Sequence, residues 1–571
     1  MSTDRTMRFR DLKDMLKQSG EKYGDCDAFI LKDRTVTHKE FREEINYLGT
    51  ALIDMGLKGK RIAVISENRY EWEVAYLAIA TGTGIVVPLD KALPENEIES
   101  SIIRSEVEAI FYSEKYQEIM EKIQNNGNSK LKFFISMDRD QREITQRGKE
   151  LVESGNKEFI DAKIDNESMG IMLFTSGTTS VSKIVMLSHK NLVTNIMDIR
   201  NIFELDETAR FLSFLPLHHT FECTVGFLYP VSIGACIVFS KGVRHLGDEI
   251  RDYHISAMIV VPVLIEKIYE RILKGIEKKG KLGTVKRISK LTDVLLKCGF
   301  DVRKRIFKDV HENLGGNLQI VVAGGAALNP EVQRGLQSLG LNVLQGYGLT
   351  ETSPVIAAEL THQRKIGSIG KKFPSVEVKL RNVDEETGVG ELLAKGDSVM
   401  LGYYNNDEAN KDSFTEDGWF CTGDYAKIDK EGFLQISGRK KFVIVLQNGK
   451  NVYPEELETL VDNLPMVKES MVFATPADDG DVTISVKVVY DEEYIKEKFG
   501  TLTEDEIKDL IWKEIKNINR TMPKYKYIKI LIITNQEFEK TTTNKIKRAV
   551  ETEKIFQTQW FLAKNNFVII L

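Results

Sequence analysis

The spacing of apolar residues along the first half of the chain predicts helices that alternate with short strands. Residues Thr37 to Glu40 have the form of a capping box, and apolar residues then recur at helical spacing as far as Gly56. A second helix is predicted from Glu71 to Thr81, and short apolar runs predict strands at 61–65, 85–89, 110–112, 133–135, 257–261 and 318–322. This alternation predicts an α/β fold in which helices cover parallel or mixed sheets.

The sequence changes in character after about residue 383, where turn-forming residues become frequent, and again near residues 438–442. A smaller α+β unit is predicted beyond that point, with a helix from Pro454 and strands near 442–445, 470–475, 483–489 and 527–533. We therefore expect a large N-terminal domain over residues 1–438 and a small C-terminal domain over residues 439–571.

Composition narrows the possible classes of protein. The chain has 571 residues, 42% hydrophobic and 29% charged, as in soluble globular proteins, and its net charge of −6 gives no overall attraction to nucleic acid. The five cysteines are scattered without a C-x-x-C pair, so neither a zinc site nor a disulfide framework is indicated, and a cytoplasmic location is expected. The apolar stretch 211–239 contains two histidines, a glutamate and two prolines, which favours a buried core region over a membrane span.

Residues 274–308 form a strongly basic helical segment, with twelve lysines and arginines against three acidic residues. A solvated helix face would account for this composition. The alternative is a peripheral contact with anionic lipid headgroups, which would suit an enzyme whose substrate dissolves in membranes.

The stretch from Phe174 to His189 carries the strongest chemical signal. Two apolar runs flank a loop of hydroxyls and one glycine, followed by Lys183, and the loop residues are Thr175, Ser176, Gly177, Thr178 and Thr179. Hydroxyls, free backbone N–H groups and a lysine together bind phosphate oxygens, so a polyphosphate site between two strands is predicted. The spacing is not that of a Walker loop, and a solvated Ser/Thr-rich hairpin is the ordinary alternative.

Five further stretches carry functional groups, and each alone could be unremarkable. Residues 346–352 combine glycines, an aromatic ring, a hydroxyl and a carboxylate that suits magnesium. Residues 322–328 end a strand in a glycine turn, where open sheets bind ligands. The others are the turn at 417–424 with its carboxylate, suited to a ribose diol, and the basic stretches 437–441 and 539–548.

In their order and spacing, these six stretches closely resemble the adenylate-forming superfamily of acyl-CoA synthetases, luciferases and peptide-synthetase adenylation domains, over about residues 10–550. The resemblance implies a mobile small domain on a hinge, with ATP, Mg²⁺ and coenzyme A as cofactors. It implies that Lys545 is catalytic, that Thr350 and Glu351 hold phosphate and magnesium, and that Tyr347 stacks on adenine.

The remaining roles come from the same resemblance. Asp424 and Arg439 would contact the ribose, Lys441 would be the hinge, and Gly449 would line the path of the thiol cofactor. The other residues expected at the nucleotide are Lys183 and the loop before it, with Gly325, Ala326, Gln345, Gly346 and Gly348.

The sequence also departs from the family pattern. Ser180, Ser182 and Ile184 replace a glycine, a proline and a glycine, and Asn544 replaces the glycine before the late lysine. Asparagine tolerates the left-handed conformation, whereas a serine that needed positive φ would strain the loop and weaken ATP binding.

His219 matches the usual histidine of the segment that borders the acyl pocket, and we expect it in the catalytic site. No aspartate lies between residues 211 and 230 to receive an amino group, and the apolar surroundings favour a fatty acid. The chain thus most resembles bacterial long-chain fatty acyl-CoA synthetases, which form acyl-AMP and then a CoA thioester. An enzyme that loads acyl carrier protein and a catalytically weak homologue that binds nucleotide or acyl chains are the alternatives.

Overall fold

The computed structural model describes residues 6–175, 182–447, 450–476, 482–541 and 545–564, except for the side chains of residues 286, 293, 297 and 558–564. Within these ranges, we find no helix whose length and apolar character would let it cross a bilayer.

The strands are short, and they run from the first residues of the large unit to the end of the small one. Their bounds are β1 Asp27–Ile30, β2 Thr35–Thr37, β3 Arg61–Ile65, β4 Ile85–Pro88, β5 Ala109–Tyr112, β6 Phe133–Ser136, β7 Met169–Phe174, β8 Ile184–Ser188, β9 Arg210–Ser213, β10 Cys236–Phe239, β11 Ala257–Val260, β12 Ile320–Ala323, β13 Val343–Gly348, β14 Val355–Ala358, β15 Lys371–Lys372, β16 Val376–Arg381, β17 Gly390–Gly396, β18 Gly402–Tyr403, β19 Phe420–Ile428, β20 Leu434–Arg439, β21 Ile444–Val445, β22 Asn451–Val452, β23 Val467–Pro476, β24 Val482–Tyr490 and β25 Ile530–Thr534.

The helices alternate with these strands. Their bounds are α1 Leu12–Lys22, α2 His38–Asp54, α3 Tyr70–Ala78, α4 Glu95–Ser105, α5 Gln117–Asn126, α6 Gln141–Glu153, α7 His189–Ile202, α8 Tyr229–Ile233, α9 Leu246–Asp252, α10 Pro262–Lys278, α11 Leu282–Lys297, α12 Arg303–Ile306, α13 Lys308–Asn313, α14 Pro330–Ser338, α15 Asp407–Ser413, α16 Pro454–Asp462, α17 Glu492–Phe499, α18 Glu504–Asn519 and α19 Arg548–Lys564.

The large unit is built on two mixed sheets and one antiparallel sheet. A nine-stranded sheet has the order β15-β14-β13-β12-β11-β9-β10-β1-β2, and a seven-stranded sheet has the order β18-β8-β7-β4-β3-β5-β6. Their central strands are parallel. A four-stranded antiparallel sheet, β16-β17-β19-β20, follows. The expected α/β class with mixed, helix-covered sheets is confirmed.

The C-terminal part has an apolar core of its own. Strands β23, β24 and β25 form a three-stranded sheet, and helices α16 and α18 contribute buried residues to the same core. Leu457, Val486 and Ile511 are fully buried in it. This arrangement is the α+β unit that the sequence predicts.

Several local predictions are confirmed, and two need correction. The capping box at Thr37 and Glu40 is formed, and it starts α2. The helix predicted to Thr81 ends as α3 at Ala78, because a wide π-helical turn over Ile79–Thr83 follows, with Gly82 outside the helical region. The strand predicted at 442–445 is shorter, because Lys440–Phe442 forms a 3₁₀ turn before β21.

Candidate functional site

The loop with the strongest chemical signal is the turn of a β-hairpin. Strands β7 and β8 pair antiparallel, and the backbone N–H of Thr175 donates to the carbonyl of Lys183 over 2.9 Å. The backbone N–H of Lys183 lies 3.3 Å from the Thr175 hydroxyl, which accepts from it. Both residues therefore stand at the neck of the loop. The other expected phosphate ligands, Ser176, Gly177, Thr178 and Thr179, lie outside the described residues, as does Ser180.

Two of the departures from the family pattern have a structural explanation. Arg104, on α4, donates to the Ser182 hydroxyl over 3.2 Å and to the Ser182 carbonyl, and its guanidinium lies 5.6 Å from the centre of the Phe174 ring. Ile184 is buried and pairs with Phe174 in the hairpin. Serine thus supplies an acceptor to Arg104 and isoleucine fills the core. Sequence reasoning missed Arg104, because no motif around it in the sequence predicts its contact with the loop.

The carboxyl ends of β12 and β13 form the next wall of the site. These two strands are parallel neighbours, so Gly325 and Ala326 after β12 and Gln345 to Gly348 in β13 meet at one edge of the sheet. Gly325 and Ala326 are exposed there. Gly348 cannot carry a side chain, since a Cβ would lie 1.8 Å from the carbonyl oxygen of Pro354.

Polar side chains link Tyr347 to the four-stranded sheet. The Tyr347 hydroxyl donates to Oδ2 of Asp424 over 2.6 Å, and Nε of Arg439 lies 3.0 Å from Oδ1 of the same carboxylate. Burial and the Asp424 charge raise the pKa of Tyr347 well above its usual value, so the hydroxyl stays protonated. Asp424 and Arg439 face each other across β19 and β20. The structure therefore brings these three predicted residues together.

Thr350 and Glu351 lie in a 3₁₀ turn that follows β13. The hydroxyl of Tyr403 donates to Oε1 of Glu351 over 2.8 Å, and Nζ of Lys183 lies 4.6 Å from the centre of the Tyr403 ring. Tyr403 thus joins the carboxylate to the neck of the phosphate loop. Carboxylate and hydroxyl oxygens are the donors that Mg²⁺ prefers, so Glu351 and Thr350 fit this ion. No pattern in the sequence marked Tyr403, which reaches the site because β18 pairs with β8.

Lys545 brings a positive charge from the C-terminal part to the same place. Desolvation lowers the pKa of Lys545, an effect that the charge of Arg439 strengthens and that the charges of Asp424 and Glu351 oppose. Burial and the Arg439 charge likewise lower the pKa of Lys441 to about 8. Asn544 and Gly449 lie outside the described residues.

His219 is one of two neighbouring imidazoles next to Asp90. Its ring centre lies 4.2 Å from that of His218, whose Nε2 is 3.3 Å from Oδ1 of Asp90. Burial, assisted by the charges of His218 and Lys545 and opposed by that of Asp90, lowers the pKa of His219 to about 3, so this imidazole is neutral at physiological pH. The charge of Lys545 thus acts on the His219 imidazole.

Two carboxyl groups of the large unit, one of them three residues after His219, are buried. Glu222 and Glu73 are both fully buried. Burial raises the pKa of Glu222 to about 8, and burial together with the Glu222 charge raises the pKa of Glu73 well above its usual value. Both side chains are therefore largely protonated at neutral pH. Sequence reasoning noted Glu222 only as a polar residue in an apolar stretch, and it missed Glu73.

Two family models match most of the chain. The family model of the AMP-binding enzyme matches residues 16–404, and the model of the AMP-binding enzyme C-terminal domain matches residues 441–559. The long-chain-fatty-acid–CoA ligase FadD15 of Mycobacterium bovis is 29% identical over 460 residues, which cover 76% of this chain and 75% of the relative.

Two solved structures have the same fold. ATP-bound MatB from Rhodopseudomonas palustris matches with a TM-score of 0.75 at 23% identity, over 95% of this chain and 99% of that one. The o-succinylbenzoate CoA synthetase MenE from Bacillus subtilis, in complex with ATP and magnesium ion, matches with a TM-score of 0.72 at 22% identity, over 94% and 98% of the two chains. With its N-terminal family model spanning more than half of the sequence, the chain belongs to the AMP-binding enzyme family of the adenylate-forming superfamily.

Proposed function

We propose that this enzyme, an AMP-forming acid–thiol ligase, activates a long-chain fatty acid with ATP and transfers the acyl group to coenzyme A. The observation that carries the proposal is the group formed by Tyr347, Asp424 and Arg439, together with the action of the Asp424 and Arg439 charges on Lys545 of the C-terminal part. A mobile lysine between a nucleotide site and an acid site is what the joining of two anions requires.

In the first half-reaction, the fatty carboxylate attacks the α-phosphorus of ATP, and pyrophosphate leaves. Two anions must approach each other, so the Lys545 ammonium would offset negative charge at the carboxylate and the α-phosphate. Thr175, Lys183 and the loop between them would orient the leaving pyrophosphate. Glu351 and Thr350 would hold Mg²⁺, which neutralises phosphate charge when bound.

The nucleoside would lie against Tyr347 and the carboxylate behind it. An aromatic ring offers a stacking surface for adenine, while Asp424, held by Arg439, offers acceptors for the ribose hydroxyls. Gly325, Ala326, Gln345, Gly346 and Gly348 would let the nucleotide approach the backbone at the end of the sheet.

The nature of the acid follows from the segment that carries His219. No aspartate lies between residues 211 and 230 to pair with an amine, and Leu215, Leu217 and Val225 of the same stretch are buried. The low pKa of His219 removes a positive charge from this wall. An acid with an apolar chain fits these surroundings best.

In the second half-reaction, the CoA thiol attacks the acyl-AMP carbonyl, and AMP leaves. Lys545 would obstruct this step if it stayed where it lies. We propose that residues 439–571 form a mobile domain that turns about Lys441 against residues 1–438. This movement would withdraw Lys545 and bring Gly449 to the path of the thiol.

The decisive experiment measures pyrophosphate release from oleate, ATP and Mg²⁺. We expect release by the unaltered enzyme and a loss of at least ~100-fold in Lys545→Ala, since an uncompensated charge at the reacting centre costs several kcal/mol. The matched control is Lys547→Ala, whose exposed ammonium pairs with Glu539 at 3.0 Å. Equal rates in the two variants would refute the role of Lys545.

A second assay separates the acceptors and the acids. With fatty acids from short to long, we expect the highest kcat/KM for long chains, and thioester formation with CoA. Thioester formation with acyl carrier protein alone would instead identify a carrier-loading enzyme. Absence of pyrophosphate release with every acid, despite measurable ATP binding, would identify a catalytically weak homologue.

A further inference from the structure

Large apolar side chains are exposed on one short part of the large unit. Leu291 and Val294 on α11 are 58% and 57% exposed, and Phe300 and Ile306, just beyond it, are 66% and 43% exposed. The other strongly exposed large apolar residues of the described ranges are scattered from Ile103 to Phe556. Single exposed residues are ordinary, whereas a cluster marks a surface that binds something apolar.

Basic side chains stand among these apolar ones. Arg287, Lys290, Lys304 and Arg305 are all exposed, and none of them forms an ion pair with a side chain that the structure describes. The nearby acid Asp301 is already paired with Arg303 at 2.7 Å. Among the side chains that the structure describes, the patch therefore combines exposed apolar groups with basic groups that lie outside any ion pair. We call these eight residues the docking patch: Arg287, Lys290, Leu291, Val294, Phe300, Lys304, Arg305 and Ile306.

The position of the patch connects it with the site. Helices α10 to α13 form an excursion between the neighbouring parallel strands β11 and β12. Helix α10 begins directly after β11, at the edge of the sheet where Gly325 and Tyr347 lie. Any partner that contacted helices α10 to α13 would therefore lie beside the unit that holds the proposed nucleotide and acid sites.

We propose that the docking patch binds the surface of a bilayer that contains anionic lipids. Apolar side chains enter the boundary between headgroups and acyl chains, while lysines and arginines contact the anionic headgroups. An acidic protein would satisfy the charges, but it would leave Phe300 and Leu291 without an apolar surface. The proposal concerns binding alone, so it stands or falls separately from the proposed reaction.

The test is co-sedimentation of the full-length protein with vesicles of phosphatidylcholine alone, or with 30% phosphatidylglycerol. We expect at least ~10-fold stronger partitioning to the anionic vesicles at low salt, because the surface potential attracts the basic side chains. Equal partitioning to the two kinds of vesicle, or no binding to either, would overturn the proposal.

Two variants separate the apolar and the charged contributions. Leu291→Ser/Phe300→Ser should reduce binding at least ~5-fold at both low and high salt, whereas Lys290→Gln/Lys304→Gln should reduce it mainly at low salt. All four side chains are exposed, so both variants should fold. The matched controls are Phe499→Ser and Lys498→Gln, which alter exposed residues of α17 far along the chain.

The same variants detect an acidic protein partner. The patch would be a protein-docking surface if the unaltered protein bound acyl carrier protein but not anionic vesicles, and if Lys290→Gln/Lys304→Gln lost the binding to the carrier protein. The bilayer proposal would then be wrong. If both double variants bound vesicles as the unaltered protein does, the bilayer contact would lie elsewhere, and this assignment would fail.

Discussion

At the scale of single residues, Tyr403 links two groups that the sequence placed at the phosphates. Its hydroxyl donates to Glu351, and its ring lies beside Lys183. Replacing Tyr403 with phenylalanine keeps the ring and removes the hydrogen bond to the carboxylate. A hydrogen bond to a charged group contributes about 1.5–3 kcal/mol, so we expect KM for MgATP to rise roughly 10-fold.

The adjacent tyrosine provides the control for this measurement. The Tyr404 hydroxyl accepts from Arg61 at 2.9 Å and donates to Glu106 at 2.8 Å, away from Glu351. Tyr404→Phe should therefore leave KM for MgATP unchanged in the pyrophosphate assay. A similar rise in both variants would mean that the effect comes from the strand and not from the contact with Glu351.

The buried acid Glu222 predicts a dependence of stability on pH. Its pKa rises from a usual value of about 4.5 to about 8 in the folded chain. Between pH 4.5 and pH 8, the folded state therefore keeps a proton that the unfolded state has released. Stability should accordingly fall as pH rises through that window. Glu222→Gln removes the titration, so the variant should gain stability relative to the unaltered protein at pH 8.5 but not at pH 4.5.

Urea unfolding at the two pH values measures the effect, and the difference should be on the order of a few kcal/mol. Glu118→Gln, at an exposed position on α5, is the control and should show no such difference. If the Glu222 variant gained nothing at pH 8.5, the carboxyl would already be ionised and compensated in the folded chain.

At the scale of elements, the β13–β14 hairpin depends on one glycine more than on its neighbour. A Cβ at Gly348 would lie 1.8 Å from the Pro354 carbonyl oxygen, whereas a Cβ at Gly346 would find its nearest atom at 3.8 Å. Gly348→Ala should therefore destabilise the protein by about 2 kcal/mol or more, and Gly346→Ala by much less. Chemical denaturation of both variants measures this, and equal losses would contradict the geometry.

The sequence predicted elements well wherever their pattern was local. The apolar runs around Thr175 and Lys183 predicted the two strands of the hairpin, and the Thr37 capping box predicted the start of α2. The end of α3 was missed, because the pattern stays apolar through the wide turn after Ala78. Arg104 and Tyr403 could not be found, since each reaches the site through packing between elements that are distant in sequence.

At the scale of the whole molecule, the proposed site draws on groups from both parts of the chain. The Asp424–Arg439 pair lies on β19 and β20, and the backbone of Arg439 donates to Glu455 on α16 at 3.4 Å. Nζ of Lys440 forms an ion pair with Oε1 of Glu391, on β17, at 3.0 Å. The charge of Lys545 contributes to the lowered pKa of Lys441. The chain thus passes from one unit to the other at the point where the charges of the site meet.

This geometry gives a test of the proposed hinge. Lys441 lies in the 3₁₀ turn Lys440–Phe442, whose backbone region proline also favours, so Lys441→Pro should preserve the present arrangement and resist a change of φ. We expect pyrophosphate release within ~3-fold of the unaltered enzyme and thioester formation at least ~100-fold slower, because only the second step needs the domain to turn. Lys441→Ala removes the ammonium but leaves the backbone free, so it should retain thioester formation. Were the proline variant to lose both half-reactions equally, or the alanine variant to match it, residue 441 would not be the pivot, and the two steps would share one arrangement of the chain.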